Sequence, residues 1–409
     1  FALAAALFPP ILEAFVLVDH NLGSGFAKLA ASLASLLALG CAIGLSRAAR
    51  QLFSANGRHA VRRIQFVATA LVFSSLVVAV LLEVGTRVAF APEDYLTGDA
   101  FWIHRWREAR QTESSADAAL FQSDFPMNRY DAELGWAPLE GFRSEAVNIT
   151  SRGARAARDY ASPKPADTKR IVVIGDSFSF GEGVLDNETY PSQLEALLVE
   201  TEVVNLGVLG HGTDQQLLRL RNSAFDYEPD LILLGFFGPN AERNLLSFRD
   251  APKPRFLLAG NGIELTNTPV PGPDRAWPSP LPILRGPALL AAQWQRVIDR
   301  TRFAPQWNIT LRILDEIANE CAARGVPLLL AFYPDKGLSF VRQAGDTEIV
   351  VESWARARNI EFLSIRPALE QLEQVDRVRV FYGHWTPYGN GLVAEALAER
   401  LAMLGFAQR

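Results

Sequence analysis

Hydrophobic and polar positions divide the chain into two regimes. Before about residue 90 the apolar residues come in long unbroken runs. Leu29 to Ser46 is an uncharged run of 18 residues, and Ile64 to Leu82 one of 19, ended by Glu83. A helix needs ~20 apolar residues, rising ~1.5 Å each, to cross a hydrocarbon core of ~30 Å. Both runs therefore read as membrane-spanning helices, with Lys28 and Arg87 as snorkelling flanks. Phe1 to Val18 is apolar but contains Pro9-Pro10 and Glu13, and reads as a third span, kinked or truncated. A cleaved signal peptide would explain one such segment, not three.

Residues 90–165 are mixed, with Trp102, Trp106, Trp136 and a polar patch at 111–117, as expected of a juxtamembrane connector. From Arg170 the rhythm changes. Ile171–Ile174, Val203–Leu206, Leu231–Phe237, Pro327–Phe332 and Glu361–Leu363 have the length and β-branched content of strands. Pro191–Val199, Asp214–Ser223, Ile309–Ala323, Thr347–Arg358 and Gly389–Leu404 alternate with them as amphipathic helices. Such alternation predicts an α/β domain whose parallel sheet is covered on both faces. About residues 251–306 carry ten prolines from Pro252 to Pro305 and read as an insertion or lid, not a sheet element. The expected organisation is a transmembrane region at 1–89, the connector at 90–165, and an α/β domain at 166–409 with the proline-rich insertion.

Composition narrows the class. The 409 residues are 49% apolar and 21% charged, with formal net charge −5 and two cysteines. Wholesale disorder, collagen and a disulfide scaffold are excluded. A mildly acidic chain gives no electrostatic reason to bind nucleic acid. The loop at 47–63 carries Arg47, Arg50, Arg58, Arg62 and Arg63 and no acid, whereas Asp19 to Gly25 holds no Lys or Arg. The positive-inside rule places the arginine loop in the cytoplasm and everything after about residue 90 on the other side. Cys41 falls inside a span and Cys321 stands alone, so no internal disulfide is expected. The Ala/Leu/Arg-rich composition looks bacterial. The acceptor triplets at Asn148, Asn187 and Asn308 are accordingly assigned no glycan.

Candidate chemistry gathers at the carboxyl ends of the expected strands, where α/β sheets hold their ligands. The first strand runs into Gly175-Asp176-Ser177-Phe178-Ser179-Phe180-Gly181. This is neither a P-loop, for no Gly-Lys-Ser/Thr follows, nor the Gly-x-Ser-x-Gly elbow. The second ends in Asn205-Leu206-Gly207-Val208-Leu209-Gly210-His211-Gly212-Thr213, either a ligand-facing turn or an ordinary one with Thr213 capping the next helix. The third ends in Gly238-Pro239-Asn240, whose amide can donate to an oxyanion. Of five histidines, His384 in Tyr382-Gly383-His384-Trp385-Thr386-Pro387 sits at the expected sheet edge, where a neutral imidazole can take a serine proton. Trp385 and Trp294 either line a sugar site or pack. Glu83 and Arg87, one turn apart, suggest a local pair. No metal-ligand spacing occurs.

Taken together and in this order, the Gly-Asp-Ser block, the Asn-x-Gly-x-x-Gly turn, Asn240 and the Gly-His-Trp-x-Pro block resemble the SGNH (GDSL-type) hydrolase superfamily over about residues 170–404. Tyr130-Asp131-Ala132-Glu133-Leu134-Gly135-Trp136 followed by Ser151-Arg152-Gly153 is similar to membrane-anchored bacterial members. The resemblance implies a flavodoxin-like three-layer α/β/α sandwich. It makes Ser177 the nucleophile and His384 the general base, with oxyanion donors at the Ser177 N–H, the Gly210 N–H and the Asn240 amide. No cofactor or metal is implied. The sequence departs from the family twice. The Asp that usually stands two or three residues before the histidine is replaced by Tyr382 and Phe381, the nearest acid upstream being Asp376, and Asn240 is followed by Ala241 instead of Asp. Two functions follow as expectations. One is an esterase or O-acyltransferase on cell-envelope carbohydrate, anchored in the bacterial inner membrane with its C-terminal domain in the periplasm. The other is a catalytically degenerate SGNH-like domain serving as a subunit of a membrane complex.

Overall fold

The computed structural model describes residues 57–112, 126–272, 275, 277–299, 305–335, 337 and 339–408. The expected spans at Phe1–Val18 and Leu29–Ser46, with Cys41, lie outside the described residues. The chain divides into two compact units, one of residues 1–104 with 279–298, the other of residues 105–278 with 299–409.

In the second unit all five expected strands form: β1 (Lys169–Ile174), β2 (Thr201–Asn205), β3 (Leu231–Phe237), β4 (Leu328–Tyr333) and β5 (Glu361–Ser364). They make one parallel sheet in the order β5-β4-β3-β1-β2. Side chains alternate across it, as a strand's period of two requires. Val172, Ile174, Val204, Ile232, Leu234, Leu330 and Phe332 join one core with Leu217, Ile313, Leu314, Ile317 and Trp354. Ile171, Val173, Val203, Leu231, Leu233, Leu329 and Ala331 join the other with Tyr190, Leu194, Val393 and Leu397. Helices Thr213–Arg219, Pro305–Ala323 and Asp346–Ala357 cover the first face, and Tyr190–Leu197 and Pro387–Met403 the second. Each fully buried Leu, Ile or Val in these layers contributes ~1.5–3 kcal/mol. The result is the three-layer α/β/α sandwich with flavodoxin-like strand order, in which the order of strand addition reverses between β1 and β3.

Local chemistry starts two of the helices. Thr189 accepts from Ser192 N at 3.3 Å with Pro191 in the first turn, and Thr386 accepts from Gly389 N at 3.2 Å with Pro387 at the first helical position. Thr213 is no such cap. Gly212 occupies that position, Thr213 is already helical, and its buried hydroxyl has no partner. The proline-rich segment adds no strand to the central sheet, as expected, but it is not devoid of strands: Arg255–Ala259 pairs with Gly262–Thr266 as a separate antiparallel hairpin. The connector also forms a hairpin, Asn128–Asp131 with Gly135–Pro138.

The first unit contains the helix Gly57–Ala89. Its segment Gln65–Ala89, 25 residues and unburied, is long and apolar enough to cross a membrane, the only such helix among the described residues. At ~1.5 Å per residue it reaches ~37 Å, beyond a ~30 Å hydrocarbon core. The expected Glu83–Arg87 pair is present, Arg87 Nε lying 2.7 Å from Glu83 Oε1. The helix Arg285–Asp299 belongs mainly to the same unit.

Candidate functional site: a serine–histidine pair at the sheet's switch point

Ser177 opens a single helical turn, Ser177–Phe180, directly beyond β1. Asp176 caps it, its Oδ1 accepting from Phe178 N at 3.0 Å. Gly181 ends it in the left-handed region at φ 91°. The turn is pressed against the sheet. A β-carbon on Gly207 would lie 2.5 Å from Phe180 N, and one on Gly235 would lie 2.3 Å from Ser179 Oγ. Glycine is required at both because another backbone or side chain occupies the space. Asn205 binds the turn from the end of β2, donating Nδ2 to Ser179 O at 2.8 Å. Underneath, Tyr333 OH donates to Tyr190 OH at 2.8 Å, which donates to Ser179 Oγ at 3.0 Å. Burial raises both phenols above their ordinary range, so the chain stays neutral.

His384 lies on a two-residue ladder, Phe381–Tyr382 against His384–Trp385, turned by Gly383 at φ 76°. Trp385 is buried among Phe178, Tyr190 and Tyr333, and so is a packing residue rather than a lining one. Phe178 also flanks the imidazole, ring centroids 4.8 Å apart. These aromatics place His384 Nε2 2.8 Å from Ser177 Oγ. At this distance Nε2 can accept the serine proton when the ring carries its own proton on Nδ1.

No acid holds that Nδ1 among the described residues. Phe381 is buried, Tyr382 is 93% exposed, and Asp376 pairs with Arg379 at 3.0 Å. A carboxylate does reach the ring from another direction: Glu182 Oε2 lies 3.3 Å from Nε2, the nitrogen that faces Ser177. Glu182 was not legible as a site residue. Only its place between Gly181 and Gly183, on the turn that follows the serine, hinted that it borders the rim.

The three expected donors have no acceptors in the protein. The Ser177 and Gly210 N–H groups donate to no described backbone or side-chain oxygen. Asn240 is fully buried. Its Oδ1 accepts from Arg243 Nη1 at 2.8 Å, while its Nδ2, near enough to pull on the Asp176 carboxyl, completes no hydrogen bond of ordinary geometry. A buried amide N–H left unpaired costs ~1–3 kcal/mol, so an arrangement that leaves one open suits a ligand oxygen. Arg243 draws the turns together, its Nη1 also donating to His211 O at 3.0 Å and lying 3.4 Å from Asp176 Oδ2. Burial, with Arg249 nearby, pushes the Arg243 guanidinium down to about 10. Burial raises the Asp176 carboxyl, against the pull of Arg243 and of the Phe178 N–H. Asp176 thus organises the turn and touches no reacting atom. Sequence reasoning missed Arg243, although its place three residues after Asn240 on one short helix was a usable sign.

The Gly210 turn is braced by the connector. Trp136 Nε1 donates to Leu209 O at 2.8 Å, and His211 Nε2 donates to Trp136 O at 3.1 Å. Burial pushes His211 down to about 3, so it is a neutral structural histidine. Behind it, fully buried Lys253 pairs with fully buried Asp214. An open groove of about 480 Å³ beside Arg312, Asp315 and Arg358 contains none of these residues.

No family model matches the sequence, and no curated protein matches it. Solved structures do match. A putative lipolytic protein of the G-D-S-L family from Desulfitobacterium hafniense is 14% identical at TM-score 0.35, covering 57% of this chain and 99% of its own. The lipase/acylhydrolase from Enterococcus faecalis is 16% identical at TM-score 0.34, covering 59% and 98%. An acetyl xylan esterase is 11% identical at TM-score 0.36, covering 57% and 99%. Likeness at this level adds nothing to the chemistry, which rests on the side chains described above. The chain has the three-layer α/β/α fold with a serine–histidine pair at the switch point of its sheet, and its sequence blocks resemble those of the SGNH (GDSL-type) hydrolases.

Proposed function

We propose that this chain is a membrane-anchored serine esterase or O-acyltransferase that acts, outside the cytoplasm, on an ester of cell-envelope carbohydrate. The observation that carries the chemistry is the 2.8 Å contact between Ser177 Oγ and His384 Nε2. Ser177 Oγ attacks the acyl carbon while its proton passes to His384 Nε2. The carbonyl oxygen becomes an oxyanion among the Ser177 N–H, the Gly210 N–H and Asn240 Nδ2, each such donor typically worth ~3–4 kcal/mol. Collapse breaks the ester bond, and the leaving alkoxide takes the proton from Nε2. Water, or a sugar hydroxyl, repeats the sequence in reverse on the acyl-serine.

The envelope assignment rests on the apolar Gln65–Ala89 helix and on the arginine-rich loop before it. The lipid bilayer is then one partner and an acylated envelope glycan the substrate. The competing reading, a degenerate subunit of a membrane complex, draws on the unpartnered Nδ1 of His384. Fluorophosphonate labelling of the full chain decides between them. Wild type is expected to label and to hydrolyse an acetyl ester, with Ser177→Ala silent in both. A folded wild type that does neither would overturn the catalytic reading and leave the subunit.

A further inference from the structure

The helix Arg285–Asp299 shows the outside a face that a soluble helix would hide. Ile283 is 88% exposed and Trp294 64%, with Leu284 and Leu290 also exposed. Pro287 and Ala291 stand exposed between them, so the face formed by 283, 284, 287, 290, 291 and 294 carries no charged side chain. Positions 287, 290, 291 and 294 share one side of an α-helix. The opposite side, Leu289 and Ala292, is buried, Leu289 against Tyr95 and Leu96. Residues 287–292 of this helix are apolar both inward and outward.

A second observation says what covers the outer face. The start of this helix is fastened to the apolar helix of the same unit. Glu83 Oε2 accepts from Arg285 N at 2.7 Å and from Gly286 N at 3.0 Å. Arg87 Nη2 donates to Ile283 O at 2.7 Å. Glu83 is the residue that ends the uncharged run, and the helix continues to Ala89. Six residues at ~1.5 Å each set Glu83 ~9 Å below that end. The first turn of Arg285–Asp299 therefore meets the apolar helix alongside its final turns, not past them. Bonded to two N–H groups and Arg87, the Glu83 carboxylate is compensated well enough to lie at a bilayer boundary.

We propose that the 283–294 face lies in the interfacial layer of the bilayer that Gln65–Ala89 crosses, an in-plane second foot with Trp294 at headgroup depth. The proposal rests on the spanning reading of Gln65–Ala89. The occupant is lipid because the face is continuous with the end of an apolar helix whose own Val84 and Val88 are exposed. Tryptophan beside aliphatic residues on an uncharged helix face is the composition that settles at that depth.

The full chain reconstituted in phosphatidylcholine vesicles tests this. Two measurements are made: release by alkaline carbonate, and quenching of tryptophan emission by lipids brominated near the headgroup end of the acyl chain. The chain has eight tryptophans, so wild type is compared with Trp294→Phe, an exposed change that leaves the fold intact. Resistance to carbonate, with a quenched component in wild type that Trp294→Phe loses, is the expected result. Resistance to carbonate with equal quenching in both would overturn the proposal while the spanning reading stands, and would mean that residues 1–56 or another subunit cover the face. Release by carbonate would overturn both.

Discussion

His384 meets Ser177 and a carboxylate through the same nitrogen, and this separates it from a triad in which acid and serine hold opposite sides of the ring. An acid on Nδ1 fixes the tautomer, and its loss can cost ~10⁴ in turnover. Glu182, 3.3 Å from Nε2, cannot fix that tautomer. It can offset the positive charge that arises when Nε2 takes the serine proton. Both side chains are partly exposed, so the interaction is worth at most ~1 kcal/mol, or about fivefold in rate. Glu182→Gln is therefore expected to lower kcat/KM for an acetyl ester, and the fluorophosphonate labelling rate with it, by about threefold to fivefold. Equal rates in variant and wild type would make Glu182 a bystander. Ser177, Gly210, Asn240 and His384 were legible because each lies in a short block beside a strand end. Glu182 and Arg243 were not, for nothing in the linear order says that one side chain reaches His384 or that the other spans three turns.

The strands and helices were legible for a different reason. Both sheet faces are covered, so each strand is a short, nearly continuous apolar run, and each helix carries one apolar stripe. The elements missed were those whose stability is tertiary. The serine turn Ser177–Phe180 and the helix Asn240–Arg243 are four residues each, too short to show a period. The hairpin Arg255–Ala259 with Gly262–Thr266 was hidden by the prolines around it. The serine turn stays in place because nothing intervenes between it and the sheet. Gly207→Ala would put a β-carbon 2.5 Å from Phe180 N, a backbone atom that cannot swing aside. The expected cost is ~1–3 kcal/mol from overpacking. Catalysis should suffer beyond that, because the turn that carries Ser177 must shift away from His384. Gly262→Ala is the matched control: neither glycine has a positive φ, and a β-carbon on Gly262 meets nothing closer than Ala259 O at 3.9 Å. Thermal unfolding and labelling of the two variants check this. A Gly207→Ala protein as stable and reactive as Gly262→Ala would refute it.

At the scale of the α/β unit, the candidate site depends on polar groups buried far from solvent. Asp176, Asp214, Lys253, His211 and Asn240 are all fully buried. Removing one partner of such a pair leaves a charge that nothing else solvates, so the rim is held by mutual dependence more than by any strong bond. His211 makes that dependence measurable. Folded, its imidazole is pushed down to about 3 by burial, with Arg219, Lys253 and Arg243 adding to the effect, although its bond to Trp136 O works the other way. Unfolded, it titrates near ~6.5. Its contribution to stability is therefore complete above ~6.5 and is lost as the pH falls from there toward about 3, because the unfolded chain takes up a proton that the folded one refuses. His211→Gln keeps a donor for Trp136 O and removes the titration. The wild-type Tm should fall more steeply than that of His211→Gln between pH 7 and pH 5, by a margin that grows as the pH drops. Because the other buried acids and bases are common to both proteins, the difference between the curves isolates His211. Parallel curves would mean that the imidazole accepts its proton inside the fold, and the bracing of the Gly210 turn would then have to survive a cation beside Arg243.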